Sequence, residues 1–424
     1  MKKKGRILAI VIGIVMVLGL ILMFYNKKTG IHGFDVGEVY GSDVVEGVND
    51  VMPTHCVTEN GYLYAKNQRI YFFDFNTKTE HVLCDDLSCV HFSSDCGAFY
   101  NNYNIIGLAA YHGNIYHVDL SMDGRKYQLI RTDFGGNNKE VVADFKMGNY
   151  GENEWYLQQI GKVCYGYDQA YMELQYQSLS QDGNEIQTTQ CVEIDLNTGR
   201  TIDITEREAR SEAYEIESIV KEGVIVRHTL AENDNEEYLF YQPASGELNL
   251  VEENRLVSYW TGYSMSTIPV YDFLGEYDGN PLYEHFAERY LSDKQNAIMC
   301  SWNTSNNERK EILEIENCTP IMLGEGGYHQ YVYDDKYLLC SEAKQNGKLD
   351  IIRLNLDTGK KKKLFEDTEN ISFRLIGQTR DSFIGKIYEF PDEESMLVAI
   401  YRIKKDDYYA NDFSKKIFLQ KIEY

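Results

Sequence analysis

One pattern constrains this chain more than any other. A turn leads into an aromatic strand, a second strand follows, then another turn and a short apolar strand, and the unit recurs from Cys56 to the C-terminus. The entry turns read Glu59-Asn60-Gly61-Tyr62, His112-Gly113-Asn114-Ile115, Tyr167-Asp168-Gln169-Ala170, Lys221-Glu222-Gly223-Val224, Tyr277-Asp278-Gly279-Asn280, Asp334-Asp335-Lys336-Tyr337 and Arg380-Asp381-Ser382-Phe383. Their spacing is roughly fifty-odd residues, the range of four-stranded propeller blades. Second turns such as Asn76-Thr77-Lys78, Asn197-Thr198-Gly199 and Asp357-Thr358-Gly359 keep the same register, with weaker copies near Asn306-Asn307 and Asn411-Asp412. Asn, Asp and Gly suit these places because a tight hairpin needs positive φ at a central residue.

Counting both turns gives seven units and predicts an all-β, seven-bladed β-propeller over 51–424. In the sixth unit the expected strands are His329–Tyr333, Tyr337–Ser341, Leu349–Leu354 and Lys361–Phe365. A lone blade leaves both sheet faces wet, whereas a ring gives each sheet two neighbours. Six or eight blades stay open, because the fifth unit is irregular. The 34 Tyr and only 6 Pro agree with half-buried strands. Two stretches break the pattern: Thr205–Ala213 reads as a helical turn or two, and Asn280–Tyr290 reads either as a capped helix or as the second strand of blade 5.

Residues 7–25 form an uncharged apolar run preceded by Lys2, Lys3, Lys4 and Arg6. A run of that length reaches across a hydrocarbon core, and positive charge stays cytoplasmic. No small-residue cleavage site follows, so the run reads as an uncleaved signal anchor rather than a signal peptide. The expected order is therefore a cytoplasmic tail over 1–6, one transmembrane helix over 7–25, a spacer over 26–50 and an extracytoplasmic propeller. This places the chain at the cell membrane as a single-pass protein. The formal net charge of −24 excludes nucleic acid as a partner on electrostatic grounds. Lys360–Lys363 reads as edge lysines that block strand-to-strand aggregation.

Nine cysteines cannot all pair within one chain. Cys164, Cys191, Cys300 and Cys340 lie in strand-like apolar contexts and read as small core residues. Cys84, Cys89, His91 and Cys96 differ: they share one loop between the first blade's outer strand and the second blade's inner strand. Three thiolates and an imidazole are ligands that zinc prefers, and four protein ligands make a structural rather than a catalytic site. A disulfide, Cys84–Cys96 or Cys89–Cys96, with one thiol left over, is the alternative.

The segment Cys84-x4-Cys89-x-His91-x4-Cys96, followed by repeated Asp/Asn-x-Asp/Asn-Thr-Gly turns, resembles a group of uncharacterised membrane- or lipid-anchored propeller proteins of anaerobic Gram-positive bacteria. These are loosely similar to TolB-like propellers. The resemblance runs from about Cys56 onward and implies the fold and the location. It lends no catalytic residues. Relatives often carry Pro two residues before the second Cys; here that residue is Leu87.

No catalytic motif is present. Gly262-Tyr263-Ser264-Met265-Ser266 lacks the closing glycine of a nucleophile elbow. Ser121-Met122-Asp123-Gly124 and Ser180-Gln181-Asp182-Gly183 read as hairpin turns, and there is no P-loop, H-E-x-x-H or calcium loop. His112 and His117, beside an entry turn and on the next strand, read as structural. The expected function is a non-enzymatic binding scaffold for a protein, peptide or glycan. The alternative is a propeller enzyme acting on a glycan or lactone through channel carboxylates.

Overall fold

A computed structural model describes residues 35–423 apart from 42, 48–54, 87, 103–104, 149–154, 180–182, 208–212, 231–235, 255, 261–264, 270, 286–295, 317, 322–330, 335, 345–347, 368–372 and 390–396. It is a seven-bladed, all-β propeller. Blade 1 comprises His55–Val57, Gly61–Lys66, Arg69–Asp74 and Thr79–Val82. Blade 2 comprises Ile106–Tyr111, Asn114–Leu120, Lys126–Asp133 and Glu140–Lys146. Blade 3 comprises Tyr156–Gly166, Gln169–Leu179, Glu185–Asp195 and Thr201–Asp203. Blade 4 comprises Ala213–Val220, Gly223–Thr229, Glu236–Gln242 and Glu247–Asn254. Blade 5 comprises Tyr271–Tyr277, Asn280–His285, Asn296–Asn303 and Glu308–Glu316. In blade 6, Tyr337–Ala343, Leu349–Asn355 and Lys360–Asp367 follow a first-strand position filled by two pieces, Cys318–Pro320 and Val332–Tyr333. Blade 7 comprises Arg374–Gln378, Ser382–Glu389, Leu397–Lys404 and Ile417–Glu423.

The turns show why these residues form these strands. Entry turns at His112-Gly113, Tyr167-Asp168 and Asp278-Gly279 take positive φ at two successive residues, the twist that suits tightly paired antiparallel strands. At the second turns an Asp or Asn caps the chain. Asp74 Oδ1 accepts the N–H groups of Asn76 and Thr77 at 2.7 and 3.1 Å, and Asp195 Oδ1 those of Asn197 and Thr198, both at 2.9 Å. Gly199 and Gly359 then take positive φ.

Each seam between neighbouring blades is filled by its own apolar cluster. Leu63, Ile70 and Ile115 lie between blades 1 and 2, and Phe240, Phe273 and Trp302 between blades 4 and 5. Tyr62, Phe73, Ile384 and Ile400 close the ring between blades 1 and 7. Seven such clusters occur among the described residues, one per seam, and that number settles the blade count at seven. The fifth unit looks irregular in sequence because an extra hairpin, Leu256–Trp260 with Met265–Pro269, intervenes before blade 5.

Several expectations change. Asn280–His285 is a strand, with Pro281 inside it, rather than a capped helix. Residues 205–207 and Ala213 are not helical, and 208–212 lie outside the described residues. The third and fourth strands of blade 7 are joined by the α-helix Lys405–Tyr409 and a short 3-10 turn, Phe413–Lys415, not by a tight turn. The single-pass membrane location is corrected: no helix among the described residues is long and apolar enough to cross a membrane. A span needs about twenty helical residues, and the described chain invests its apolar residues in strands. The run 7–25 on which that expectation rested lies outside the described residues, as does the tail 1–6. Val44–Gly47, within the stretch 26–50, forms a strand against blade 3.

Ring closure yields a stability prediction. Ile400→Ala in the blade 1–blade 7 cluster removes a fully buried side chain and should cost ~2–5 kcal/mol in urea unfolding. Ile417→Ala, on a half-exposed outer strand, should stay within about 0.5 kcal/mol. Equal losses at the two positions would show that this seam does not hold the ring.

Candidate metal centre

Cys84, Cys89, His91 and Cys96 meet. One ligand atom from each lies within 4.8 Å of all the others. The Cys96 Sγ to His91 Nδ1 distance is 3.7 Å. Bonds of about 2.3 Å to a tetrahedral zinc put neighbouring ligands about 3.7 Å apart, so the donor set fits that ion in size as well as in chemistry. All nine cysteines are free. Cys96 is buried and the other three ligands are half-buried.

The backbone prepares each sulfur in the same way. The N–H two residues further on points at it: Asp86 at Cys84, His91 at Cys89 (3.3 Å) and Ala98 at Cys96. Such donors favour a charged sulfur. Against them, burial pushes the Cys84 thiol up to about 12 and also raises Cys96, and crowding of the three thiols adds to the rise. A cation between the sulfurs is the natural counter to that crowding.

Local structure explains the convergence. Asp86 Oδ1 accepts the Ser88 N–H at 2.8 Å and its carbonyl accepts the Cys89 N–H at 3.0 Å, which turns the chain back. His91 takes positive φ of 58°, a conformation that costs an L-residue and turns the chain again. The return is tied to blade 1 by Ile70 N–H to Ala98 O at 2.8 Å. It is tied to blade 2 by Lys139, whose ammonium donates to Cys96 O at 3.2 Å and Phe99 O at 3.1 Å. A Cβ on Gly97 would collide with the Gly136 carbonyl, so only glycine admits this approach. Leu87 lies outside the described residues. Sequence reasoning finds the four ligands but misses Lys139 and Gly97, which are distant in sequence or carry no side chain.

The outer side of the loop differs in character. Val90 and Phe92 flank His91 and are 74% and 61% exposed. Arg69 donates from Nε to His91 O at 3.3 Å, and its guanidinium sits 3.8 Å from the Phe92 ring centroid. Asp85 and Asp86 lie on the same loop.

The other candidates separate. His112 is exposed, stacks on the buried Tyr111 and meets the exposed Asp168 Oδ1 at 3.1 Å. His117 is fully buried with no hydrogen-bond partner on either ring nitrogen, and burial holds its pKa down at about 3. Within blade 4, Arg227 pairs with Glu215, Glu217 (2.8 Å) and Glu236 (3.1 Å), a half-buried network across three strands that the sequence does not reveal. Ser121 and Asp123 form a hairpin turn, with Ser121 Oγ donating to Asp123 at 2.6 Å. Gly262, Tyr263 and Ser264 lie outside the described residues, as do Ser180, Gln181 and Asp182. In blade 5, Asp272 and Glu284 are cross-strand partners on its two innermost strands. Burial, then the neighbouring Asp272, push Glu284 up to about 8.

No family model matches this sequence, and no curated relative matches it either. Solved structures give only distant likenesses. An oligogalacturonate lyase in complex with manganese is 13% identical, with 88% of this chain and 96% of that chain covered and a TM-score of 0.41. TolB from Acinetobacter baumannii is 13% identical over 86% and 77%, at 0.31. A 6-phosphogluconolactonase from Bacteroides fragilis, itself a tentative assignment, is 13% identical over 90% and 97%, at 0.33. At these values the likenesses carry no argument about activity; the fold rests on the blades themselves.

Glu284 gives a pH prediction. Its folded pKa lies above the ordinary value of 4.5, so the folded state holds the proton more tightly. The stability this contributes is full below about pH 4.5 and is lost as pH rises through about 8, by roughly 1.4 kcal/mol per pH unit. Urea unfolding of Glu284→Gln should lack that slope. An unchanged slope in the variant would assign the pH dependence elsewhere.

Proposed function

We propose that this protein is a non-enzymatic binding scaffold, whose recognition loop Cys84–Cys96 is braced by one structural zinc and offers Val90 and Phe92 to a protein, peptide or glycan. One observation carries the reading. The loop's four donor groups turn inward to a common point, while the two residues flanking His91 turn outward and stay exposed. A loop ordered from within and apolar at its tip is built for contact, because ordering it beforehand removes part of the entropy cost of binding. With three thiolates and a dication the site carries one net negative charge, and Arg69 and Lys139 lie against the loop to offset it. The chemistry is bracing, with four protein ligands and no open position.

A second reading draws on Asp272 and Glu284. A carboxyl held neutral beside a second carboxyl is the arrangement that acid–base chemistry on a glycan or lactone uses. Turnover of a sugar or lactone panel that disappears in Glu284→Gln would favour it.

Metal analysis of the purified chain should find about one zinc per chain. His91→Ala should lower both zinc content and thermal midpoint, whereas Phe92→Ser should leave both unchanged and abolish partner retention. Metal-free protein of full stability with nine reactive thiols would remove the bracing role. Partner retention that survives Phe92→Ser would remove the recognition role.

A further inference from the structure

The innermost strand of a blade pairs with the second strand along one edge, and its other edge faces the channel. In blade 3 that channel-facing edge is occupied by the chain's own N-terminal segment. Val44–Gly47 runs antiparallel on it, with Val44 opposite Gly166, Val45 opposite Tyr165, Glu46 opposite Cys164 and Gly47 opposite Val163. Adjacent strand residues point to opposite sides, and here each side meets a different seam. Val44 is buried with Cys164, Tyr171 and Ile219 between blades 3 and 4. Val45 is buried with Tyr111 and Tyr165 between blades 2 and 3. Gly166 leaves room for this: a Cβ there would sit 3.1 Å from Val44 Cγ2.

The residues upstream lie over the entry turns. Glu38 accepts the Glu59 N–H on its carbonyl at 2.8 Å and the Gly113 N–H on its carboxylate at 2.6 Å, which spans blades 1 and 2. Tyr40 carries the Lys405 ammonium 5.0 Å from its ring centroid, a link to blade 7. The segment therefore crosses the entry-turn face and ends as a short added strand inside the ring.

We propose that the channel-facing edge of Val163–Gly166 is a strand-addition site for an extended peptide with two adjacent β-branched aliphatic residues, and that Val44–Gly47 keeps it shut in the resting chain. Main-chain bonds along an edge supply affinity, and the two valine positions supply selectivity. A tethered segment competes at an effective concentration of about millimolar, so a free peptide binds weakly until the segment is displaced. This site is separate from the metal loop and does not rest on the reading given for it.

The test uses the full chain and a fluorescent peptide of residues 41–47. Val44→Asp/Val45→Asp places carboxylates in both seams and should release the segment, while leaving the site itself intact. Fluorescence anisotropy should then show binding at least tenfold tighter than to the unaltered chain, and the same peptide with both valines changed to Asp should not bind. A folded double variant that binds the peptide no better than the unaltered chain overturns the proposal. Hydrogen exchange on the unaltered chain decides the matter should the variant fail to fold. The amides of Val44–Gly47 should exchange well before those of Gln169–Leu179, and faster still with excess peptide. Exchange of both segments together, indifferent to peptide, would make Val44–Gly47 a fixed part of blade 3 and overturn the gate.

Discussion

Blades 1 and 7 share no strand. All four strands of blade 1 come from 55–82, and all four of blade 7 come from 374–423. The two ends of the chain are therefore joined by side-chain packing across a seam, not by a hydrogen-bonded sheet. Tyr62, Tyr64, Phe73 and Phe75 from blade 1 meet Ile376, Ile384, Val398, Ile400 and Leu419 from blade 7. Tyr62 stacks on Phe73 with ring centroids 5.3 Å apart. At the rim, Gln420 hydrogen-bonds to Tyr62 and Glu80. The other six seams join blades that follow one another in the chain, so this is the seam at which the ring closes. The first strands of the two blades approach closely, since a Cβ on Gly377 would sit 2.6 Å from Val57 Cβ.

The N-terminal segment supplements that closure. It touches blades 1, 2, 3 and 7 through Glu38, Tyr40 and Val44–Gly47. The Cys84–Cys96 loop does comparable work at the blade 1–2 seam, where Leu83, Cys96, Ala98, Phe99 and Tyr100 join the apolar cluster that fills it. The loop thus has one face in the core and one in solvent. That division lets a single segment hold two blades together and still present Val90 and Phe92 outward.

Much of the architecture is readable in the sequence because its signals are local. An Asp or Asn that caps two N–H groups, followed by a residue in positive φ, is a property of a few consecutive residues, and it repeats. The ligand set Cys84, Cys89, His91 and Cys96 is equally local. What the sequence hides is long-range. Lys139 reaches the loop from blade 2, and Asp272 meets Glu284 only across two paired strands. The split first strand of blade 6 and the helix Lys405–Tyr409 carry no periodic signal long enough to register.

The sequence by itself determines that this chain forms strands joined by tight turns in a blade-length repeat, counted as seven with six or eight left open, with three thiols and an imidazole in one connection. Backbone torsion and side-chain capping act over neighbouring residues, so their outcome is written in residue order. Only the tertiary structure decides that seven repeats close through side chains without a shared strand, that the cysteines converge as free thiols, and that Val44–Gly47 is added to the channel edge of blade 3. Those outcomes depend on surfaces that do not exist until distant strands have been brought together. Their energies come from burying apolar area and desolvating charge between segments that are far apart in the chain.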